Sequence, residues 1–298
     1  KEDGGTMDDN YIPNLTKLAR ENVQFTDKKD GKVGGPVCLE ATAYTAGGLV
    51  AQTSAINLKV MNSGAVSDSF LPNLTALGDI LNKQGYNQMF LCGSDGDFAG
   101  RDAYFKTHKD YQIEDYKAAI KEGDIPKDYK VYWGHEDKVL YERAKKNLKK
   151  LSKEGKPFNL TMLTVDTHFP NGYICDLCEN KYDTTYGNAV ACADRQVYDF
   201  VQWIKKQDFY EDTTIIIAGD HTSMVDTGSK SWKSLSNDYQ RTVYNAIINP
   251  QCAYKKKVTT KRKFSTMDMF PTTLAALGVE IDGNKLGLGT NLFSGEET

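Results

Sequence analysis

A chain of 298 residues with 40% hydrophobic content can bury a large core and is too apolar for a disordered segment. Its 37 basic and 40 acidic residues give a net charge of −3, and basic residues cluster only in Lys255-Lys256-Lys257 and Lys261-Arg262-Lys263, which argues against nucleic acid as a partner. No apolar run approaches the roughly 20 residues that cross a bilayer, so no spanning helix is expected. The chain opens at Lys1 in a polar Lys-Glu-Asp-Gly-Gly stretch, and a fragment of a longer protein is expected.

In chain order, Pro13 with Leu15, Leu18 and Ala19 predicts a first helix, and Val23 and Phe25 alternate like a strand. A polar, Gly-rich segment from Asp27 to Pro36 gives way to Ala43-Tyr44-Thr45-Ala46-Gly47-Gly48-Leu49-Val50-Ala51, whose small residues suit a helix packed closely on a sheet. Thr45 falls at the N-terminus of that helix. It is an N-cap or a nucleophile, two roles that do not exclude each other, and the N–H groups and dipole there favour negative charge.

Pro72 predicts a helix through Leu74, Leu77, Ile80 and Leu81 that stops at Gly85, followed by a buried strand from Tyr86 to Cys92. In the loop Gly93–Arg101, Asp95 and Asp97 read as a solvated turn, whereas the Arg101 guanidinium suits bidentate binding of phosphate oxygens. Tyr104–Tyr132 has no strong period and is expected to be peripheral, with His108 and His135 on the surface. An amphipathic helix is expected from about His135 to Leu151. The strand Phe158–Val165 then ends in Asp166-Thr167-His168-Phe169-Pro170, which places a histidine at the carboxyl edge of a sheet.

A helix between Tyr182 and Lys206 leads to Thr213-Thr214-Ile215-Ile216-Ile217-Ala218, a β-branched run expected to be a strand buried on both faces. It delivers Gly219-Asp220-His221 to the edge where open α/β sheets bind ligands, and both side chains are metal-capable; an Asp capping a turn at the strand end beside a partly buried His is the alternative. A polar loop to Gln240, a strand from Val243 to Ile248 and a helix from Met267 to Leu277 complete the order. Alternating strands and helices predict an α/β fold, a three-layer α/β/α sandwich with a mostly parallel central sheet, formed as one domain over residues 1–298.

Cys175-x-x-Cys178 lacks the second pair that a zinc site needs and the setting of a redox motif. A disulfide between Cys192 and either Cys175 or Cys178 is expected, with free structural thiols as the alternative. Such a staple makes sense outside the cytosol.

Thr45 in Tyr-Thr-Ala-Gly-Gly, Thr164-Val165-Asp166-Thr167-His168-Phe169-Pro170, Gly219-Asp220-His221 and Leu286-Gly287-Leu288-Gly289 together resemble the lipoteichoic acid synthase and phosphoglycerol transferase branch of the sulfatase and alkaline phosphatase superfamily. Leu77-Gly78-Asp79-Ile80-Leu81 and Phe98-Ala99-Gly100 are similar to segments of the transferases that decorate periplasmic glucans. The resemblance implies that Thr45 is nucleophile and metal ligand, that Asp220 and His221 ligate one divalent ion, Mn²⁺ or Mg²⁺, and that His168 and Arg101 contact the phosphoglycerol group, with His168 also assisting proton transfer. It implies a further ligand, a glutamate ending a first strand shortly before the position where this chain begins. Neither Glu2 nor any other residue here fits that role, so one ligand is expected to be missing. Where lipoteichoic acid synthases carry a His, an Asp and a Trp in the substrate loop, this chain has Cys92, Ser94 and Ala99.

The implied partners are a phosphatidylglycerol-type lipid donor and a glycan or polyglycerophosphate acceptor, handled by a monomer. Upstream segments would hold it at the extracellular face of a bacterial cytoplasmic membrane. Phosphoethanolamine transfer, a sulfatase-like phosphodiesterase and a catalytically silent glycerophosphate-binding module are the alternatives. A true sulfatase would need a C-x-P-x-R segment, which Cys38-Leu39-Glu40-Ala41-Thr42 does not supply.

Overall fold

The computed structural model describes residues 9–28, 32–59, 69–224, 240–255 and 259–298. The chain divides into two compact units, residues 1–60 with 201–298, and residues 61–200. Helix α1 (Pro13–Glu21) starts on Pro13, whose fixed φ suits a first turn, and buries Leu18 and Ala19. Val23 forms an isolated antiparallel bridge to Ile247, and the neighbouring Phe25 donates its N–H to Asn245 Oδ1 at 2.9 Å and accepts from Asn245 Nδ2 at 2.8 Å. An amide side chain therefore takes the place of a strand neighbour, which is why the alternation at Val23 and Phe25 does not grow into a regular strand. Helix α2 (Thr45–Ser54) follows, with six of its ten residues buried.

In the second unit, α3 (Leu77–Lys83) begins five residues later than Pro72 predicts. Asp79 accepts from the Ala76 N–H at 2.8 Å and fixes the start there, while Gly85 at φ +77° closes the turn after the helix. Strand β1 (Asn87–Cys92) is followed by α4 (Arg101–Thr107), β2 (Gln112–Glu114), α5 (Tyr116–Lys121), α6 (Asp137–Leu151), β3 (Phe158–Leu163) and α7 (Thr185–Ile204). β1 lies between β2 and β3 and pairs in parallel with both, Phe90 facing Ile113 on one side and Thr161 on the other. The stretch expected to be peripheral thus contributes a strand to the sheet. Its end is anchored by Arg143 of α6, which meets Glu114 at 2.6 Å and Asp124 at 2.9 Å, with both Arg143 and Glu114 buried. Phe90 and Phe105 stack at 4.2 Å in the core of this unit.

His108 and His135 correct the expectation of surface residues, being 2% and 0% exposed. His108 pairs through Nδ1 with Asp79 at 2.7 Å, and His135 lies against Gly93, whose missing side chain leaves room for the ring. Burial holds the pKa of the His135 imidazole below its ordinary value, favouring the neutral ring.

The chain returns to the first unit with β4 (Ile215–Ala218), which pairs antiparallel with β5 (Asn245–Ile248), Ile216 facing Ile247. β4 is half-buried rather than enclosed on both faces, and β5 is its one hydrogen-bonded neighbour among the described residues. Helix α8 (Met269–Ala276) and the hairpin of β6 (Lys285–Leu286) and β7 (Gly289–Thr290) follow. Val23, Phe25, Ile247, Phe264, Met269, Ala276 and Leu292 form the core of this unit, with Phe25 edge-on to Phe264 and Phe293.

Candidate active site

Three sequence-predicted residues converge in the first unit. Thr45 is the first residue of α2. Tyr44, in extended conformation, stands at the cap position, and the helix has no side-chain cap. Thr45 Oγ1 is thus not spent on capping, and it lies 3.4 Å from His221 Nε2, the two residues being 176 positions apart in sequence. The first N–H groups of α2 have no intrahelical partner, which sets donors around the hydroxyl.

Asp220 and His221 follow β4 after a single glycine, Gly219. Gln52 of α2 donates to the Gly219 carbonyl at 3.0 Å, and a Cβ on Gly48 would stand 2.3 Å from the Asp220 carbonyl oxygen. Glycine at 48 is therefore a packing requirement that brings α2 against the end of β4. Asp220 Oδ1 accepts from the His221 N–H at 2.9 Å, which turns Oδ2 to within 3.5 Å of His221 Nε2.

The imidazole is oriented from its other side. His221 Nδ1 lies 2.9 Å from the Thr222 carbonyl, an acceptor only, so Nδ1 carries the proton and Nε2 presents its lone pair when the ring is neutral. A carboxylate oxygen and an imidazole lone pair facing each other at 3.5 Å repel unless a proton or a cation lies between them. Thr45 Oγ1, Asp220 Oδ2 and His221 Nε2 are also the oxygen and nitrogen donors that divalent ions take, and ligands sharing an ion at about 2.0–2.2 Å lie about 3.0–3.5 Å apart. The residues present fit one divalent ion. The Thr222 carbonyl on Nδ1 is the kind of contact that fixes the tautomer of a metal-binding histidine.

Sequence reasoning missed two neighbours of this site. The Cys38 thiol is pushed up by its burial, and Thr222, Asp220 and Arg241 lie near enough to act on it. Arg241 lines a cleft with His221, Thr222, Ser223 and Tyr244, and its guanidinium donates to the Ser223 carbonyl at 2.7 Å. Neither belongs to a motif; Arg241 is placed only by its position before β5. The polar loop expected after His221 lies, from 225 to 239, outside the described residues, as does Glu2.

The other two candidates belong to the second unit. Arg101 is 6% exposed, and its guanidinium is committed to its own loop: Nη2 donates to Ser94 Oγ at 3.0 Å and the Asp95 carbonyl at 2.6 Å, and Nε to the Phe98 carbonyl at 3.0 Å. His168 is half-buried beside Trp133, with ring centroids 5.1 Å apart, and its Nδ1 lies 2.7 Å from the Phe169 carbonyl. Tyr132 Oη donates to the His168 carbonyl at 2.6 Å. Asp97, expected in a solvated turn, is exposed and pairs with Lys117 at 2.7 Å.

Of the two pairings open for the expected disulfide the structure contains Cys178–Cys192, with Cα atoms 5.1 Å apart; Cys175 is a free thiol. No helix among the described residues is long and apolar enough to cross a membrane.

The chain is 32% identical over 299 residues to phosphoglycerol transferase I of Salmonella choleraesuis, covering 96% of this chain and 36% of that protein. Phosphoglycerol transferase I of Shigella flexneri is similar at 32% over 296 residues, again 36% of its length. The chain thus spans little more than a third of these relatives. Among solved structures, the lipoteichoic acid synthase of Listeria monocytogenes superposes with a TM-score of 0.75 at 18% identity, covering 98% of this chain and 72% of that one. A protein of the alkaline phosphatase superfamily from Vibrio parahaemolyticus gives 0.69 at 22% identity over 95% of this chain and 64% of that one. These likenesses show an α/β fold of the alkaline phosphatase and sulfatase type. With residues 4–279 matching the sulfatase family, the chain belongs to that family.

Proposed function

We propose that this chain is the catalytic part of a phosphoglycerol transferase that moves phosphoglycerol from a lipid such as phosphatidylglycerol to a hydroxyl of a glycan or of a glycerophosphate polymer. The observation that carries the reading is the approach of Thr45 Oγ1 and Asp220 Oδ2 to the same imidazole nitrogen of His221, at 3.4 and 3.5 Å, at the start of α2. The 32% identity to phosphoglycerol transferase I supports the choice of transferred group.

Members of this superfamily generally use a divalent metal. Bound by Thr45, Asp220 and His221, such an ion lowers the pKa of a coordinated hydroxyl and neutralises phosphate charge. The residues do the rest. Thr45 Oγ gives up its proton to solvent and attacks phosphorus, the Oγ–P bond forms, and the bond to the diacylglycerol oxygen breaks, so diacylglycerol leaves after its oxygen takes up a proton from solvent. The N–H groups of the first turn of α2 donate to the phosphoryl oxygens as their charge grows. In the second half, the acceptor hydroxyl gives up its proton and attacks the same phosphorus, the Oγ–P bond breaks, and Thr45 Oγ takes up a proton as it leaves. His168, with Nδ1 directed at the Phe169 carbonyl, offers a Nε2 lone pair for binding or proton transfer in the second half. Upstream segments would hold the protein at the outer face of a cytoplasmic membrane.

The test is product analysis with the full-length protein and head-group-labelled lipids. Release of diacylglycerol with transfer of label from phosphatidylglycerol, and not from phosphatidylethanolamine, is expected. Preferential use of phosphatidylethanolamine would replace the reading with phosphoethanolamine transfer.

A further inference from the structure

We propose that Cys175, Cys178 and Cys192 form a thiol–disulfide exchange centre, in which Cys175 can take Cys178 over from Cys192. The three sulfurs lie within 4.8 Å of one another, and the free Cys175 Sγ is 3.6 Å from Cys178 Sγ of the existing disulfide. Three cysteines with a single disulfide among them have two further pairings, and the backbone favours one. The Cys178 N–H donates to the Cys175 carbonyl at 3.0 Å, so residues 175–178 form a hydrogen-bonded turn. The Cα atoms at the ends of such a turn are less than about 7 Å apart, which overlaps the usual spacing of bridged cysteines. Reaching the new bond is then mainly a matter of side-chain rotation.

The leaving sulfur is prepared as well. Cys192 is 2% exposed on α7, and the Gln196 amide donates to its Sγ at 3.5 Å one turn further along the helix. An N–H directed at a sulfur stabilises the charge that sulfur acquires when the disulfide opens. Cys175 itself is held back: burial above all, with the nearby Asp166, Asp176 and Glu136 carboxylates, pushes its thiol up, so little thiolate is present to attack the Cys178–Cys192 bridge at neutral pH.

The step balances without an external oxidant or reductant. The Cys175 thiol gives its proton to water and attacks Cys178 Sγ; the Cys175–Cys178 bond forms as the Cys178–Cys192 bond breaks. The electron pair leaves on Cys192, which takes up a proton. One disulfide and one thiol enter and leave. The resting bridge spans 14 residues and fastens the loop 175–184 to α7, whereas the exchanged bridge closes only its own turn. After exchange the loop keeps its other ties, Arg195 to Glu179 at 2.7 Å and the Asn188 side chain to the N–H groups of Lys181 and Tyr182. The centre therefore loosens one fastening of the loop that begins seven residues after His168 without changing the oxidation state of the protein.

The experiment uses the chain purified without reductant, incubated at neutral pH or at about pH 9, above the ordinary thiol value. It is then quenched in acid, alkylated and mapped by peptide mass spectrometry. At alkaline pH, a Cys175–Cys178 cross-link and an alkylated Cys192 are expected, with the total of alkylated thiols unchanged. Cys175→Ser and Cys175→Ala should both lose the Cys192 label, two variants guarding against a folding defect in one. Gln196→Leu should slow its appearance while leaving Cys178–Cys192 intact at neutral pH. A Cys192 that stays unlabelled in the wild type, or is labelled equally when Cys175 is replaced, overturns the proposal.

Discussion

β3 and β4 each deliver an aspartate closely followed by a histidine, Asp166 and His168 after β3, Asp220 and His221 after β4, yet the two carboxylates meet different surroundings. The Asp220 side chain is one-third exposed, at 33%, with one oxygen on its neighbour's N–H and the other facing an imidazole nitrogen that Thr45 also approaches. Asp166 is 1% exposed, and neither of its side-chain oxygens has a hydrogen-bond partner among the described residues. Burial pushes its carboxyl well above the usual range, and the Asp137 carboxylate pushes it further in the same direction. The same residue types at the same kind of strand end thus become a part-exposed carboxylate facing an imidazole in one unit and a buried acid that holds its proton in the other. What decides is access to a partner.

The contrast is broken most completely at Thr45. Thr45→Ala in the full-length protein should reduce transfer on the order of 10⁴-fold or more, because no other hydroxyl replaces the nucleophile; initial rates of diacylglycerol release measure this. Asp220→Asn should weaken manganese binding by about 100-fold or more, read by calorimetric titration, whereas Asp166→Asn should leave that affinity unchanged. Gly48→Ala places a methyl 2.3 Å from the Asp220 carbonyl oxygen and must separate α2 from the end of β4. A stability cost of about 1–3 kcal/mol in urea melts is expected, with a loss of transfer larger than that cost explains.

The smallest effect is on the pH dependence of stability. The folded values of Asp166 and Asp137 are raised, so the folded state binds more protons than the unfolded chain. The associated stability is fully present below the unfolded value of about 4 and is lost as the pH rises through the folded values. Asp166→Asn should flatten that decline, gaining about 1–3 kcal/mol over the wild type at about pH 8 in denaturant titrations.

Much of this was legible in the residues, for physical reasons. The β-branched run before Ala218 and the small residues after Thr45 name a strand and a close-packed helix, so Thr45, Asp220 and His221 could be picked out before their 3.4 and 3.5 Å approaches were seen. The orientation of His221 was not legible, since it depends on the Thr222 carbonyl accepting a hydrogen bond from Nδ1–H. β2 escaped notice because Gln112-Ile113-Glu114 is too short and polar to show a period, and only its register with Met89-Phe90-Leu91 makes it a strand. His108 and His135 read as surface residues because their surroundings, Asp79 and the space at Gly93, come from distant parts of the sequence. Arg101 was legible as a cation in a loop but not as the group that holds that loop together.

The central claim is that Thr45 carries the transferred group. Mixing the full-length protein with phosphatidylglycerol and a divalent ion, quenching in acid before acceptor is added and mapping peptides by mass spectrometry tests it directly. A glycerophosphoryl adduct is expected on the peptide containing Thr45, absent in Thr45→Ala and discharged when acceptor is supplied. Turnover with an unmodified Thr45 peptide at every time point, or an adduct on another residue, would contradict it.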